Sequence, residues 1–519
     1  MSSTSDSSTM GSIQVNDSNR PPLKCLIVGA GSSGIAAAKE ALKAGLEPHV
    51  YEARDGPGGA WRYDKDPGPC KVDFNQDGWA TFSNPGESDF RGPSPPSPMY
   101  DGLKTNVPTS LMQYRGTPFR PEISLFCSHD QVQRYLSDYA DALPESTSVQ
   151  YNRRVTRIRY SHESDPGGPR RKWYAEIAST LDDSEPTRAQ FDHVMIANGH
   201  YSKPFVPWVE GLQSWPGELL HARWYRNPEP FKDKTVLVIG NLASGYDVTR
   251  ELAVSIHERR EANPGFTRLP KIYQSARSPS ALGIAFDAPD APEWASEVKV
   301  FPPIRKVEGR SILFEDGQVL DDVDTIIYAT GYYFSFPFLR SCDAPWRDHP
   351  VTRRPTAHVT TPRDTTDSTA VEEAQAPVDG GLRLHNLDDR FLFYLPDPTV
   401  AFLCLPYFVI PFPLAQIQAR LASVFYAKPE QLPKPLTFCR GVDEDAPETR
   451  ESVIFGHPRQ FDLMDRMMEE SGDIAASDAN NGDDPRHEIA ASSEYGRTSQ
   501  GDRDLRVGAK ALRRAVLGY

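Results

Sequence analysis

The chain has 519 residues, which is enough for two or three domains with sizeable cores. Its 57 basic and 71 acidic residues give a formal net charge of −14, which excludes a global basic field for nucleic acid or anionic membranes. The six cysteines form no CxxC pair, and their spacing predicts neither a zinc site nor a disulfide framework, so reduced cytosolic thiols are expected.

Residues 1–22 are rich in Ser, Asp, Asn and Pro and lack an apolar core. This composition predicts a disordered tail rather than a signal peptide or a membrane anchor. The longest apolar run, 401–415, is too short to span a bilayer and contains three prolines, so it predicts a buried core segment. We therefore expect no transmembrane segment and a cytoplasmic location.

The stretch from Lys24 to Tyr63 has the pattern of strand, glycine turn, helix and strand. Its apolar run Cys25–Val28 predicts a buried parallel strand, and an alanine-rich helix is expected at 35–44. The GxGxxG turn between them allows a tight bend, close approach of the backbone to a pyrophosphate, and packing of the helix on the strand. The turn consists of Gly29, Ala30, Gly31, Ser32, Ser33 and Gly34.

The second predicted strand of this unit ends at Glu52. Glu52 has nearly the spacing of a carboxylate that holds a ribose hydroxyl, and its charge would repel a 2′-phosphate. The unit is therefore expected to bind FAD or NAD rather than NADP, and a glycine turn without a ligand is the alternative. A second glycine turn with Ala60 and Trp61 resembles the flavin-contacting turn of proteins with two dinucleotide sites, which favours FAD.

The next part of the chain alternates between loops and short regular elements. Residues 64–99 predict a long surface excursion, and the segment Tyr100–Pro108 follows it. Helical spacing of apolar residues predicts a helix at 129–143, alternation predicts a β-meander at 155–177, and 191–198 predicts a buried strand.

A second dinucleotide unit begins at Lys234, with a strand at 235–239, a turn at 240–245 and a helix at 246–256. Leu242 replaces the middle glycine between Gly240 and Gly245, so this fingerprint is degenerate. The following strand ends without an acid, and Ser275 and Arg277 stand there instead, a hydroxyl and a guanidinium suited to a 2′-phosphate. We therefore interpret the second site as an NADP site, and a solvated loop cation is the alternative for Arg277.

The rest of the chain contains one further core region. A strand at 324–328 leads into Ala329–Tyr332, and the polar residues 355–382 predict a mobile insertion. Residues 391–427 have core composition, 442–451 predict a solvated loop, and 461–468 predict a short amphipathic helix. Residues 471–504 are expected to be disordered.

Four motifs together resemble those of the flavin-containing monooxygenases, the class B type that oxygenates soft nucleophiles. Trp215–Tyr225 has the family's pattern of an aromatic, Gly, His and a second aromatic, with Trp215 in place of the usual Phe. Tyr328–Tyr332 is similar to its second signature, a link between domains. Tyr100–Pro108 resembles its active-site segment, and GNLASG resembles the NADP turn of plant and fungal members. Tyr225 followed by Arg226 differs from the Baeyer–Villiger branch.

The resemblance implies an α/β fold with two Rossmann-like dinucleotide-binding domains, for FAD and for NADP. The FAD-binding domain would be discontinuous, at 23–208 and 325–470, with the NADP-binding domain inserted at 209–324. Residues 471–519 would be a largely disordered or peripheral C-terminal segment.

The resemblance also implies roles for individual residues. Asn106 would be the catalytic residue, with its amide beside the flavin, and Thr105 and Val107 would lie by the flavin and the nicotinamide. Val155 would touch the adenine through its backbone, and Gln418 would reach the isoalloxazine. His221 is expected to be a core or interdomain hydrogen-bonding histidine, with a chemical role as the alternative, and His129 is expected to be structural or helix-capping. The remaining FAD ligands would be Gly29–Gly34, Glu52, Ala60 and Trp61, and the NADP ligands Gly240, Ser244, Gly245, Tyr246, Asp247, Ser275 and Arg277.

The implied function is an NADPH- and O₂-dependent monooxygenase acting on a small molecule. NADPH would reduce FAD, O₂ would add at flavin C4a, and the hydroperoxide would transfer one oxygen to a thiol, a thioether or an amine. The alternatives are a pyridine-nucleotide disulfide reductase, whose dithiol is absent, a Baeyer–Villiger or N-hydroxylating relative, and an inactive FAD-binding module. No nucleic-acid partner is expected, and a homodimer is left open.

Overall fold

The structure is a computed structural model that describes residues 21–74, 80–82, 94–166, 172–263, 265, 270–353, 380–441, 449–474 and 495–518. Most of the predicted tail, insertion and loop at 1–22, 355–382 and 442–451 therefore lies outside the described residues. In chain order the helices are α1 (Ser32–Lys43), α2 (Thr109–Met112), α3 (His129–Asp141), α4 (Ala243–Ala262), α5 (Pro411–Ala427), α6 (His457–Glu470) and α7 (Gln500–Leu517).

The strands are short, and most of them end close to where the apolar runs of the sequence end. In chain order they are β1 (Lys24–Val28), β2 (Glu47–Tyr51), β3 (Val72–Phe74), β4 (Ala80–Phe82), β5 (Ser148–Gln150), β6 (Arg153–Tyr160), β7 (Trp173–Ser179), β8 (Thr187–Phe191), β9 (His193–Ile196), β10 (Lys203–Pro204), β11 (Glu218–His221), β12 (Val236–Ile239), β13 (Ile272–Ser275), β14 (Val298–Phe301), β15 (Ile304–Glu308), β16 (Ser311–Phe314), β17 (Val319–Leu320), β18 (Thr325–Tyr328), β19 (Tyr332–Tyr333) and β20 (Val400–Phe402).

The first large sheet is parallel, with the strand order β20-β9-β1-β2-β5. Its centre, β1, is buried because the run Cys25–Val28 has side chains that are apolar on both faces. Alanines 36–38 of α1 are all buried, and their small side chains let α5 pack closely on this helix. The run 401–415 forms β20 and the start of α5 in this core, as predicted.

The second large sheet is also parallel, with the order β11-β18-β12-β13-β14, and α4 packs on it. The assignment of 325–470 to the first domain is wrong at its start. Strand β18 pairs with β11 and β12, so Thr325–Tyr328 belongs to the second sheet. The reason is that parallel pairing with a strand 85 or more residues away leaves no local signal in the sequence.

The chain passes between the two sheets through paired linkers. Strands β10 and β19 pair antiparallel just outside the sheets. The half-buried Arg450 donates to the carbonyl oxygens of Thr330 at 2.8 Å and Tyr332 at 2.7 Å. Residues 328–332 therefore link the two sheets, as expected.

Two local predictions need correction. Helix α3 is capped by Ser128 and Gln131 in a capping box, so His129 is not its cap. Residues 495–518 are not disordered: they contain the 18-residue helix α7, which packs on α2 and α6. Charged side chains on α7 misled the composition argument because their partners lie far away in the sequence. Among the described residues, no helix is long and apolar enough to cross a membrane.

Candidate active site

The first glycine turn has the close packing that a dinucleotide-binding turn requires. Gly29 has φ +96°, and a Cβ on it would lie 2.9 Å from the Ala197 carbonyl oxygen. A Cβ on Gly34 would overlap the carbonyl oxygen of Gly29, so only glycine lets α1 sit this close to β1. The first turn of α1 has no side-chain cap, so its backbone amides remain available to a phosphate.

The second glycine turn packs directly on the first. Gly58 N donates to Ala30 O at 2.9 Å, and a Cβ on Gly59 would lie 2.9 Å from Gly31 Cα. Ala60 and Trp61 follow in a short 3₁₀ turn at Gly59–Trp61. The structure thus brings the two predicted flavin-binding turns together.

Glu52 lies at the end of β2, next to the first glycine turn. Its carboxylate accepts from Ala30 N at 2.7 Å and from Arg54 N at 2.8 Å. Burial raises the pKa of the Glu52 carboxyl, while these two amide donors act in the opposite direction. Residues of these turns fit the adenosine and pyrophosphate of FAD, because the turns offer glycine surfaces, free helix amides and a fixed acid.

The second fingerprint repeats this geometry although Leu242 replaces the middle glycine. Gly240 has φ +100°, and a Cβ on it would lie 2.6 Å from Ala329 O. A Cβ on Gly245 would overlap the carbonyl oxygen of Gly240. Helix α4 also begins without a side-chain cap, and Ser244 in its first turn is exposed. This turn therefore fits a second dinucleotide.

The predicted phosphate-reading residues lie at the end of β13. Ser275 is buried, and its hydroxyl donates to Pro302 O at 2.8 Å, which ties it to the protein. Arg277 is exposed on the loop that follows. Asn241 of the glycine turn donates to Ser278 O, so this loop is attached to the turn. Arg277 thus stays the better candidate for a 2′-phosphate contact.

The segment Tyr100–Pro108 lies between the two nucleotide-binding turns. The Tyr100 hydroxyl donates to Asp247 Oδ2 of α4 at 2.5 Å. Six residues beyond Pro108, the Tyr114 hydroxyl donates to Ser32 O of the first turn. Thr105 pairs with Cys127 through its amide at 3.0 Å and its hydroxyl at 3.2 Å. Asn106 and Val107 are half-buried, and the Asn106 amide has no hydrogen-bond partner among the described residues.

Comparison with known proteins identifies the family. A family model described as flavin-binding monooxygenase-like matches residues 94–259 and 288–348, and one described as an NAD(P)-binding Rossmann-like domain matches 27–89. The thiol-specific monooxygenase of Saccharomyces cerevisiae is 28% identical over 441 residues, 82% of this chain and 80% of that protein. The flavin-containing monooxygenase FMO GS-OX5 of Arabidopsis thaliana is 31% identical over 333 residues, 62% of each chain. The chain belongs to the flavin-containing monooxygenase family.

A solved structure supports the same fold. The S-allyl-L-cysteine S-oxygenase from Allium sativum superposes with a TM-score of 0.65 at 22% identity, covering 95% of this chain and 94% of that one. The predicted α/β fold with Rossmann-like domains is confirmed. This chain is a flavin monooxygenase whose cofactors are FAD and NADPH.

The first family signature forms an interdomain brace. His221 ends β11, and its ring bonds to Gly331 O at 3.1 Å and to Arg223 N at 3.2 Å. Burial lowers the pKa of His221 to about 3, so the ring is neutral at physiological pH. Trp215 packs over Gly217, where a Cβ would overlap its indole. These contacts agree with a structural His221.

Two residues that are predicted to contact FAD, Gln418 and Val155, have backbone or side-chain partners within the protein. Gln418 is fully buried in α5, and its amide bonds to Cys404 N at 2.7 Å and Arg390 O at 3.2 Å. Gln418 therefore supports the turn at Cys404, whose φ is +56°, and its contact with the isoalloxazine stays a prediction. Val155 lies in β6, where the ladder to β7 shifts register, and its backbone role stays a prediction.

Sequence reasoning missed several arginines that hold the site together. Arg223 donates to the carbonyl oxygens of Pro96 at 2.6 Å and Tyr201 at 2.9 Å. Arg226 donates to Asp64 O at 2.6 Å and Ser97 O at 3.1 Å. Both guanidinium groups are buried and tie the excursion at 64–99 to the family signature. The signal that the sequence offered was their position, since Arg223 lies inside the signature and Arg226 directly follows it.

Asp247 and Tyr246 also face inward. The Asp247 carboxylate is buried and contacts Tyr100 and, at 3.5 Å, Arg513 Nη2. The Tyr246 ring is stacked on Phe286 at 5.5 Å. If these residues contact NADP, we expect the contact to come from their backbone.

Proposed function

We propose that this monooxygenase uses NADPH and O₂ to transfer one oxygen atom to sulfur or nitrogen of a small molecule. The observation that carries the proposal is the anchoring of residues 100–114. One end is bonded to the NADP helix through Tyr100 and Asp247, and the other to the first glycine turn through Tyr114 and Ser32. Asn106 stands between these anchors.

FAD bound at the first site and reduced by NADPH would supply the activated oxygen. The residues of the chain itself position the reacting groups and protect them from water. Asn106 offers an amide donor and acceptor with no protein partner among the described residues, on a segment fixed by Thr105 and Cys127. A fixed amide in a site that excludes water stabilises a developing charge more than the same amide does in water.

Sulfur is the first substrate class to test. The yeast relative is named for thiols and is similar over 80% of its length. Neither the yeast nor the Arabidopsis relative is named for ketones, which a Baeyer–Villiger enzyme would oxygenate. Nitrogen is the second substrate atom to test.

A disulfide reductase receives no support from the cysteines. All six cysteines lie in the described residues and all are free thiols. Burial raises the pKa of Cys404, in the turn held by Gln418, to about 12, so this thiol stays protonated. Dithiol exchange needs a thiolate with a partner cysteine.

The test is a panel of thiols, thioethers, amines and ketones incubated with the purified protein, NADPH and isotopically labelled O₂. Mass spectrometry should show one labelled oxygen in the sulfur compounds, with catalase present to remove free H₂O₂. An ester from a ketone would move the enzyme to the Baeyer–Villiger class. NADPH consumption without O₂ uptake would refute the proposal.

A further inference from the structure

Helix α7 spans the two nucleotide-binding halves of the molecule. Near its start, Arg503 pairs with Asp462 at 2.8 Å and Asp465 at 2.7 Å, both on α6. Near its end, Arg514 pairs with Asp290 at 2.7 Å, in the loop between β13 and β14. The helix begins at a Ser499 cap, whose hydroxyl accepts from Asp502 N at 3.0 Å.

One side chain of this helix reaches the candidate active site. Arg513 is only 5% exposed. Its Nε donates to the carbonyl oxygen of Thr105 at 3.3 Å, and its Nη2 lies 3.5 Å from Asp247 Oδ1. A buried guanidinium is stable only where acceptors and a counter-charge receive it, and these two residues supply both.

The two contacts join the parts of the site that must be in register. Thr105 precedes Asn106 in the active-site segment, whereas Asp247 lies in the first turns of α4, next to the glycine turn. Asp247 already accepts a bond from Tyr100, and its carboxylate lies close to where an anionic coenzyme would bind. A cation at this point both fixes the segment and offsets that charge.

We propose that Arg513 is a positioning residue of the monooxygenase reaction, which holds the Asn106 segment against the NADP helix and neutralises Asp247. The inference rests on the proposed function. In this proposal, helix α7 completes the active site although it lies outside both Rossmann-like units. Arg513 acts through Thr105 and Asp247 and touches no reacting atom.

The test compares three variants of the full-length FAD-bound protein. Arg513→Ala removes both contacts, and Arg513→Gln removes the charge but keeps an amide that can donate to Thr105. Lys510→Ala is the matched control, because Lys510 is exposed on the same helix. The measurements are NADP⁺ affinity by calorimetry and amide hydrogen exchange in residues 100–108, neither of which needs turnover.

We expect Arg513→Ala to exchange faster over 100–108 and to bind NADP⁺ about tenfold more weakly, as for one lost charge-assisted contact. Arg513→Gln should lose NADP⁺ affinity but keep more protection from exchange over 100–108 than Arg513→Ala. The Gln variant carries the test if Arg513→Ala does not retain FAD. Adding Asp247→Asn to Arg513→Gln should restore NADP⁺ binding, because the unpaired carboxylate is then gone.

The inference is overturned if the Arg513 variants match Lys510→Ala in both measurements. It is also overturned if the Asp247→Asn partner restores nothing, because Asp247 is then not the charge that Arg513 offsets. A wild-type protein that oxygenates no panel compound would refute the proposed function alone, since binding and exchange are measured without substrate.

Discussion

The carboxyl group of Glu251 should make the stability of this protein fall as the pH approaches neutrality. Glu251 lies on α4 with a side chain that is 10% exposed, and its Oε2 accepts from the Tyr225 hydroxyl at 2.8 Å. Burial is the main cause that raises its pKa from 4.5 to about 7. Arg250, at 3.5 Å, offsets only part of that effect.

The sign of the effect follows from proton binding. Between about pH 4.5 and 7, the folded protein keeps a proton on Glu251 that the unfolded chain has lost, so the free energy of unfolding decreases as the pH rises through this window. At about 1.36 kcal/mol for each unit of pKa, the full loss is of the order of 3 kcal/mol. The loss is complete above pH 7 and absent below pH 4.5.

Glu251→Gln should remove this pH dependence, because a neutral amide can still accept the Tyr225 hydrogen bond. The variant should melt at nearly the wild-type temperature at pH 4.5 and at a higher temperature at pH 8, with the fluorescence of released FAD as the readout. Glu258→Gln is the control, since Glu258 is exposed on the same helix. An equal difference between Glu251→Gln and wild type at both pH values would refute the reasoning.

Three further predictions concern the cofactors. Arg277→Ala should weaken NADPH binding by about 1.5–3 kcal/mol and leave NADH unchanged, because only NADPH has the 2′-phosphate; equal weakening of both would contradict the role. Asn106→Ala should keep FAD and NADPH oxidation but release more H₂O₂ per NADPH, with product formation lower by about 10²–10³; full coupling would exclude it. Gly34→Ala should purify without FAD, because a Cβ there overlaps the Gly29 carbonyl oxygen, whereas Gly508→Ala, whose Cβ meets no atom within 4 Å, should stay yellow.

The sequence predicted those parts of the fold whose signals are local. The run Cys25–Val28, the glycines after it and Glu52 lie within one βαβ unit, so their spacing alone encodes the turn geometry. The same holds for Gly240 and Gly245. Helices α3 and α6 also followed from the spacing of their apolar residues.

The missed features depend on partners far along the chain. The resemblance implied that Gln418 reaches the isoalloxazine, and it gave no sign that the amide of Gln418 bonds to Cys404 and Arg390. Helix α7 is rich in charged residues, and its arginines pair with Asp462, Asp465 and Asp290. No spacing rule in the sequence connects these positions. Composition cannot distinguish a solvated charge from one with a distant partner.

The degenerate second fingerprint shows which glycines a dinucleotide turn requires. Gly31 and Leu242 occupy the same position, and their backbones are nearly identical, at φ −70° and ψ −174° against φ −75° and ψ −163°. This is extended backbone that any residue adopts, so conformation does not demand glycine there. A Cβ on Gly31 would lie 3.5 Å from Gly59 Cα, which is an ordinary contact distance, and Leu242 is 46% exposed. The packing of the protein therefore requires the first and the last glycine of each turn, Gly29 with Gly34 and Gly240 with Gly245, but not the middle one. The NADP turn of this enzyme tolerates leucine because its Leu242 side chain points to solvent.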